Sequence, residues 1–148
     1  YRIAQGEPLP WSQNDIQVHG HAIECRINAE DCDHDFRPSP GRVTQAHFPS
    51  HDGLRIDTHI EAGAMIPPFY DSMVAKVIAV GQDREQARLL LRMALDDLVL
   101  EGVKTNIALH KAILETPEFT KGGVDTGFLG RYLAEKPSLQ NEARREQT

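Results

Sequence analysis

Residues 18–30 alternate between apolar and polar side chains, and this alternation constrains the fold more than any other part of the sequence. Successive side chains of a strand point to opposite faces of a sheet, so strict alternation predicts a half-buried strand. The apolar face, which we expect in the core, is formed by Ile23, Cys25, Ile27 and Ala29. The polar face is formed by Glu24, Arg26, Asn28 and Glu30.

Arg26 is the first candidate for a functional residue, because it stands on the polar face between Glu24 and Asn28. A strand holds a side chain more rigidly than a loop does, and a guanidinium is a permanently charged, planar fork of donors. The alternative is an ordinary solvated face on which Arg26 pairs with Glu24. Because exposed charged faces are common, the alternation alone favours this second interpretation.

Length and composition predict one soluble globular domain. The 148 residues are enough for a hydrophobic core, and 40% of them are apolar. A net charge of −6 without a long basic block argues against nucleic acid as the main partner, and no apolar run is long enough to span a membrane. Because Cys25 and Cys32 make no disulfide framework, we expect a cytoplasmic protein. The start at Tyr1 predicts a piece of a longer chain.

The segments after residue 30 predict an α+β fold, a mostly antiparallel sheet with helices packed on one side. Residues 42–48 and 54–60 both favour strands, and the turn residues at 49–53 predict that they form a hairpin. Residues 73–80 are almost continuously apolar, which is typical of a buried strand.

Helices are expected in the last third of the chain. Asp83 and Gln86 form a capping box ahead of an amphipathic helix over residues 84–98. The other predicted helices are one capped by Thr105 and extending to Glu115, a short one opened by Thr116 and Pro117, and one around residues 128–133 that Pro137 ends.

Few local motifs point to a particular chemistry. The histidines and cysteines near the first strand lack the spacings of zinc sites, so no metal site is predicted. The sequence also lacks a Gly-x-Ser-x-Gly elbow and a glycine-rich phosphate loop. Tyr70 and Asp71 are stronger candidates for functional residues, because they follow two prolines and precede the buried strand. The alternative for Asp71 is an ordinary turn residue.

Four segments in register resemble the C-terminal domain of biotin carboxylase, a component of acetyl-CoA carboxylase and related biotin-dependent carboxylases. They are GHAIECRINAED at 20–31, Phe36 with PSPG at 38–41, PPFYDSM at 67–73 with Lys76, and GVKTN at 102–106. One such match would be unremarkable, but four in order are specific. The ECRINAE stretch also speaks against a relative that acts on a substrate other than biotin.

The resemblance implies part of an ATP-dependent ligase that carboxylates biotin on a carrier protein, as in fatty acid biosynthesis. In that family, ATP phosphorylates bicarbonate to carboxyphosphate, which releases carbon dioxide, and the ureido nitrogen of biotin is deprotonated before it attacks. Arg26 matches the family arginine that contacts bicarbonate and the ureido group, so it is the expected catalytic and substrate-binding residue. The residues expected to support it are Glu24, Asn28, Tyr70 and Asp71.

The resemblance also implies how the chain is organised. Residues 1–17 would connect to an upstream ATP-grasp domain that binds ATP and Mg²⁺, residues 18–135 would form the C-terminal domain, and 136–148 a flexible tail. The expected partners are that ATP-grasp domain, a biotin carboxyl carrier protein or domain, and a carboxyltransferase. Without the ATP-grasp domain we expect the chain to be inactive.

The resemblance further implies a possible homodimer surface around the predicted hairpin. Asp52 stands there where an aromatic contact residue is common, whereas Arg55 is retained. The alternative function is therefore a non-catalytic scaffold for docking and dimerisation of the same enzyme. Neither nucleic acid nor a membrane is expected as a partner.

Overall fold

The computed structural model describes residues 1–135. The strands are β1 (His21–Asn28), β2 (Glu30–Asp31), β3 (Arg37–Pro38), β4 (Gly41–Arg42), β5 (Gln45–His47), β6 (Leu54–Thr58), β7 (Met65–Ile66), β8 (Met73–Gly81) and β9 (Val99–Glu101). The helices are α1 (Arg84–Asp97), α2 (Ile107–Glu115), α3 (Pro117–Lys121) and α4 (Phe128–Glu135). Before β1, two short 3₁₀ turns at Ile3–Gln5 and Gln13–Asp15 lie in an exposed segment.

The central sheet has three antiparallel strands in the order β1, β8, β6. Its inner face confirms the alternation in β1, because Ile23, Cys25 and Ile27 are buried while Glu24 and Arg26 are exposed. On the same side, α1 packs against β8 and β1, and α2 packs against α1. Helices and antiparallel strands in this arrangement confirm the predicted α+β class.

Helix α1 begins where the sequence predicted. The Asp83 side chain accepts a hydrogen bond from the Gln86 backbone N–H at 2.8 Å, which satisfies one of the free donors of the first turn. The apolar stripe of the helix then enters the core. Its buried residues are Ala87, Leu91, Ala94 and Leu95. Burying one such leucine side chain contributes about 1.5–3 kcal/mol, so this stripe is what holds α1 on the sheet.

The predicted hairpin of residues 42–48 and 54–60 is wrong. β5 pairs with β9, a strand directly after α1 that was not predicted, and β6 pairs with β8. Both segments have the β propensity that was predicted, but propensity does not select a partner. An isolated hairpin is marginally stable in water, whereas pairing with the central strand β8 places Ile56 beside the fully buried Val77.

The beginning of α2 also differs from the prediction. Asn106, and not Thr105, is the residue before the helix, and its side chain makes no capping hydrogen bond with α2. That side chain is instead directed to β1, as described below. Helix α3 agrees with the prediction, because the Thr116 hydroxyl accepts from the Phe119 N–H and Pro117 occupies the first position.

Helix α4 packs on α2 in a second, smaller apolar cluster formed by Leu109, Phe128 and Tyr132. The rings of Phe128 and Tyr132 are stacked with their centroids 5.9 Å apart. The predicted end of this helix at Pro137 and the predicted tail over 136–148 lie outside the described residues. Within residues 1–135, no helix is both long and apolar enough to cross a membrane.

Candidate functional site

Arg26 projects from the exposed face of β1, opposite Lys76 of β8. The Nε–H of its guanidinium donates to Sδ of Met73 at 3.3 Å. The β1–β8 register shifts between Ile27 and Asn28, and this irregularity pairs Asn28 with Met73. Such irregularities redirect side chains, and here the effect is to bring the Met73 sulfur against Arg26.

The outer part of the Arg26 guanidinium has no protein partner among residues 1–135. In this part of the chain Arg26 forms no ion pair, with Glu24 or with any other carboxylate, and its Nη atoms donate no hydrogen bond. Arginine has five N–H donors, of which only the Nε–H is engaged here. The interpretation in which Arg26 is simply paired with Glu24 is therefore not supported, and four donors are left on the open face of the sheet.

The cation opposite Arg26 on β8, Lys76, is already paired with a carboxylate. Lys76 lies with its Nζ 3.3 Å from Asp57 of β6. Arg55 holds the same carboxylate with two hydrogen bonds of 2.9 and 3.0 Å, and these bonds, together with Lys76, keep the pKa of Asp57 below its usual value. Asp57 thus stays charged and is bound to Arg55 and Lys76, while Arg26 remains unpaired.

Two residues of the α2 region hold the β1 backbone at Arg26. The Asn106 side-chain amide donates from Nδ2 to the Arg26 carbonyl at 3.1 Å and accepts the Asn28 N–H at 2.9 Å. His110 donates from Nε2 to the same Arg26 carbonyl at 3.0 Å. Sequence reasoning missed both roles, because the contacts join residues about eighty positions apart. The one available signal was that Asn106 belongs to the GVKTN segment.

The expected supporting residues on β1, Glu24 and Asn28, form no hydrogen bond or ion pair with the Arg26 side chain. Asn28 donates from Nδ2 to Glu30 at 3.1 Å, and the Ser72 hydroxyl donates to the same Glu30 oxygen. These bonds tie the end of β1 to the segment before β8. Glu24 is exposed on the same face as Arg26. The supporting roles of Glu24 and Asn28 stay predictions.

Tyr70 and Asp71 lie in an exposed loop directly before β8. The Asp71 carboxylate accepts the Met73 N–H at 2.9 Å, so it shapes the turn that delivers Met73 to Arg26. Tyr70 is 82% exposed and lines, with Asp71, Met73 and His59, a cavity of about 340 Å³. The structure therefore links this loop to Arg26 through one methionine.

The two residues expected at a dimer surface form no hydrogen bond or ion pair with Arg26. Asp52 is exposed at the rim of a cavity of about 780 Å³ between the start of β6, the end of β8 and α1. Arg55 is exposed and bound to Asp57, as described above. Their role in dimerisation stays a prediction.

Comparison with known proteins decides the family. Residues 24–131 match the family model of the biotin carboxylase C-terminal domain. The chain belongs to this family. The match includes Arg26 and both residues of the α2 region that hold its carbonyl.

Relatives of this biotin carboxylase C-terminal domain include biotin carboxylases and a pyruvate carboxylase subunit. The biotin carboxylase of Pseudomonas aeruginosa is 48% identical over 132 residues, which are 89% of this chain and 29% of that protein. A pyruvate carboxylase subunit of Methanothermobacter thermautotrophicus is 45% identical over 131 residues, 88% of this chain and 27% of that protein. The chain thus spans less than a third of the length of these relatives.

Solved structures of biotin carboxylases have the same fold as this domain. The biotin carboxylase domain of a thermophilic 2-oxoglutarate carboxylase, bound to bicarbonate, matches with a TM-score of 0.86 and 40% identity over 88% of this chain and 30% of that one. The biotin carboxylase subunit of a pyruvate carboxylase matches with a TM-score of 0.87 and 37% identity, over 90% and 30%. The resemblance found in the sequence is confirmed.

Proposed function

We propose that this domain completes the biotin and bicarbonate site of an ATP-dependent biotin carboxylase, and that Arg26 is the residue that contacts both substrates. The supporting observation is an exposed guanidinium, held at Nε by Met73 and without a partner at its Nη atoms among residues 1–135. A related biotin carboxylase domain, 40% identical to this chain, has been solved with bicarbonate bound.

The free donors of Arg26 suit both substrates. Bicarbonate offers two oxygens in a plane, and a guanidinium binds such a group with two parallel hydrogen bonds. Biotin, when its carrier delivers it, supplies the ureido nitrogen that takes the carboxyl group. As that nitrogen loses its proton, negative charge develops on the ureido oxygen. Arg26 stabilises this charge more than it stabilises the neutral group, and this difference lowers the barrier.

The remaining chemistry belongs to the rest of the proposed enzyme. ATP and Mg²⁺ would be bound by an ATP-grasp domain that precedes this one, so residues 1–148 alone should be inactive. Within the described part of the chain, no group of three or more His, Cys, Asp or Glu side chains is placed to hold a metal ion. The proposed partners are that domain, a biotin carboxyl carrier protein or domain, and a carboxyltransferase.

The molecule that finally accepts the carboxyl group from biotin is a separate matter from the proposed role of Arg26. Acetyl-CoA carboxylation in fatty acid biosynthesis is the prediction from the sequence. At similar identity, the relatives include biotin carboxylases and also a pyruvate carboxylase subunit. We therefore assign the choice of acceptor to the transferase and not to this domain. The cytoplasmic location also stays a prediction, since a chloroplastic biotin carboxylase of Populus trichocarpa is 46% identical.

The proposal is tested by the ATPase activity of the complete subunit that contains this domain. We expect ATP cleavage that requires both bicarbonate and free biotin. Arg26→Ala should lower this activity strongly, and Arg26→Lys should restore only part of it, because an ammonium keeps the charge but loses the planar fork. Arg26→Ala with the turnover of the parent enzyme would remove Arg26 from the mechanism.

A further inference from the structure

We propose that Asn106 and His110 are positioning residues that fix the β1 backbone beneath Arg26. This inference rests on the proposed function of Arg26. Both side chains donate to the Arg26 carbonyl, at 3.1 and 3.0 Å, and Asn106 also accepts the Asn28 N–H. Neither forms a hydrogen bond with the guanidinium, so we expect any effect on the reaction to pass through the backbone of β1.

Asn106 forms the backbone hydrogen bonds that a further strand would form with the open edge of β1. β1 is at the edge of the central sheet, where every second residue presents an unpaired N–H and C=O. Asn106 pairs with these groups at Asn28 and Arg26. Its backbone N–H donates to the Asn28 carbonyl at 3.2 Å, and its side-chain amide binds the Asn28 N–H and the Arg26 carbonyl. Asn106 is only 8% exposed, so these bonds are shielded from water.

Asn106 directly precedes α2, yet its side chain binds β1 and does not cap the helix. Asparagine before the first turn of a helix normally caps it, which stabilises the helix by about 0.5–2 kcal/mol. Asn106 occupies that position but makes no side-chain capping bond. The helix gives up this stabilisation, and the amide binds the two backbone groups that flank Ile27.

His110 adds a second donor to the same carbonyl. It lies four residues after Asn106, and residues at this spacing share one face of a helix. A carbonyl oxygen has two lone pairs, so Asn106 and His110 together saturate the Arg26 carbonyl. Burial lowers the pKa of His110, so its ring is neutral at neutral pH with the proton on Nε2. The Nε2 proton is present both in this form and in the charged form, so His110 keeps its donor in either form.

These contacts matter because a guanidinium at the end of a long side chain follows every movement of its backbone. Met73 holds Arg26 at Nε, and the α2 residues hold it at the carbonyl. If the second contact were lost, the Arg26 carbonyl would lose both of its hydrogen bonds, and β1 would keep only its pairing with β8 and the backbone bond between Asn106 and Asn28 near this point. A displacement of about 1 Å at a reacting group lowers the rate by up to ~10²-fold.

The test uses the complete subunit with three substitutions. His110→Leu removes a donor at similar size, and His110→Gln is the matched control, because its amide can donate from nearly the same place. Asn106→Asp keeps the acceptor for the Asn28 N–H but loses the donor to the Arg26 carbonyl. We expect kcat for biotin-dependent ATP cleavage to fall roughly ten- to a hundredfold in His110→Leu and Asn106→Asp. KM for ATP should stay unchanged, and His110→Gln should restore kcat.

A double-mutant cycle separates positioning from a general structural role. When Arg26→Ala is already present, His110→Leu should cause no further loss, because the residue that it positions is absent. An equal loss in both backgrounds, or a failure of His110→Gln to restore kcat, would overturn the inference. If Arg26→Ala is impaired but His110→Leu and Asn106→Asp keep the parent kcat, only the positioning role fails. If Arg26→Ala itself keeps full turnover, the proposed function fails as well.

Discussion

Replacing Gly102 with alanine should destabilise this domain by an amount that the structure lets us separate into two parts. Gly102 has a φ of +94°, in the left-handed region where a side chain costs about 1–2 kcal/mol. A Cβ atom there would also overlap the Arg42 carbonyl oxygen and lie 2.9 Å from the Thr44 backbone nitrogen. Such overpacking typically costs a further ~1–3 kcal/mol.

Gly63 provides the matched control. Its φ of +92° is nearly the same, but a Cβ atom there would meet nothing within 4 Å. Gly63→Ala should therefore cost only the conformational part, about 1–2 kcal/mol. Gly102→Ala should cost about 2–5 kcal/mol. The difference between the two variants isolates the contact of Gly102 with Arg42 and Thr44, at the point where β9 packs beside β5.

The assay is differential scanning calorimetry of the complete subunit with each substitution. The transition followed is that of this domain, and for a unit of roughly 150 residues each kcal/mol lowers Tm by about 2–4 °C. The Gly102 variant should therefore melt about 2–12 °C below the Gly63 variant. Equal Tm values for the two variants would show that the close approach at Gly102 does not exist, and the pairing of β5 with β9 would be wrong with it.

Three further results are expected. Leu95→Ala, at a fully buried position of α1, should lower the free energy of unfolding by about 2–5 kcal/mol, whereas Leu89→Ala, 48% exposed, should change it by less than ~0.5 kcal/mol in urea titrations. The hydrogen bond from Lys104 holds the pKa of Asp31 below its unfolded value. The ionised Asp31 therefore stabilises the fold fully above the unfolded pKa, and this stabilisation is lost as the pH falls through the folded pKa. Asp31→Asn should weaken the fall of Tm at acid pH, and an unchanged fall would contradict this role of Asp31. Burial raises the pKa of the Cys25 thiol to about 12, so little reactive thiolate is present at pH 8. Alkylation of Cys25 at pH 8, measured by mass spectrometry, should be slow in the native protein and fast after unfolding. Equal rates would contradict the burial of Cys25.

Local patterns in the sequence were enough to predict the elements that depend on local physics. The alternation around Arg26 gave the exposed and buried faces of β1, because side chains of a strand alternate whatever the partner strand is. The Asp83 cap predicted the start of α1, and the apolar stripe after it predicted the buried face of the helix. Both signals depend only on neighbouring residues in the sequence. The exposed position of Arg26 follows directly from the alternation in β1.

Contacts between distant residues could not be predicted in this way. The choice of β8 rather than β5 as the partner of β6 depends on which pairing buries more apolar surface, and propensity contains no such information. The Asn106 side chain could equally have capped its own helix, as local rules favour. Its contact with the Arg26 carbonyl, like the Met73 contact with the guanidinium, exists only once the chain has folded.

The central claim is that the unpaired donors of Arg26 stabilise the charge that develops on biotin, and it is tested most directly by a single-turnover measurement. The rate of transfer of ¹⁴C from bicarbonate to free biotin is compared in the complete subunit with Arg26→Ala and with Arg42→Ala, a control at an exposed arginine outside the site. We predict a rate about 10²–10³-fold lower for Arg26→Ala, equivalent to about 2.7–4 kcal/mol, and no comparable loss for Arg42→Ala. Equal rates in the two variants would contradict the claim.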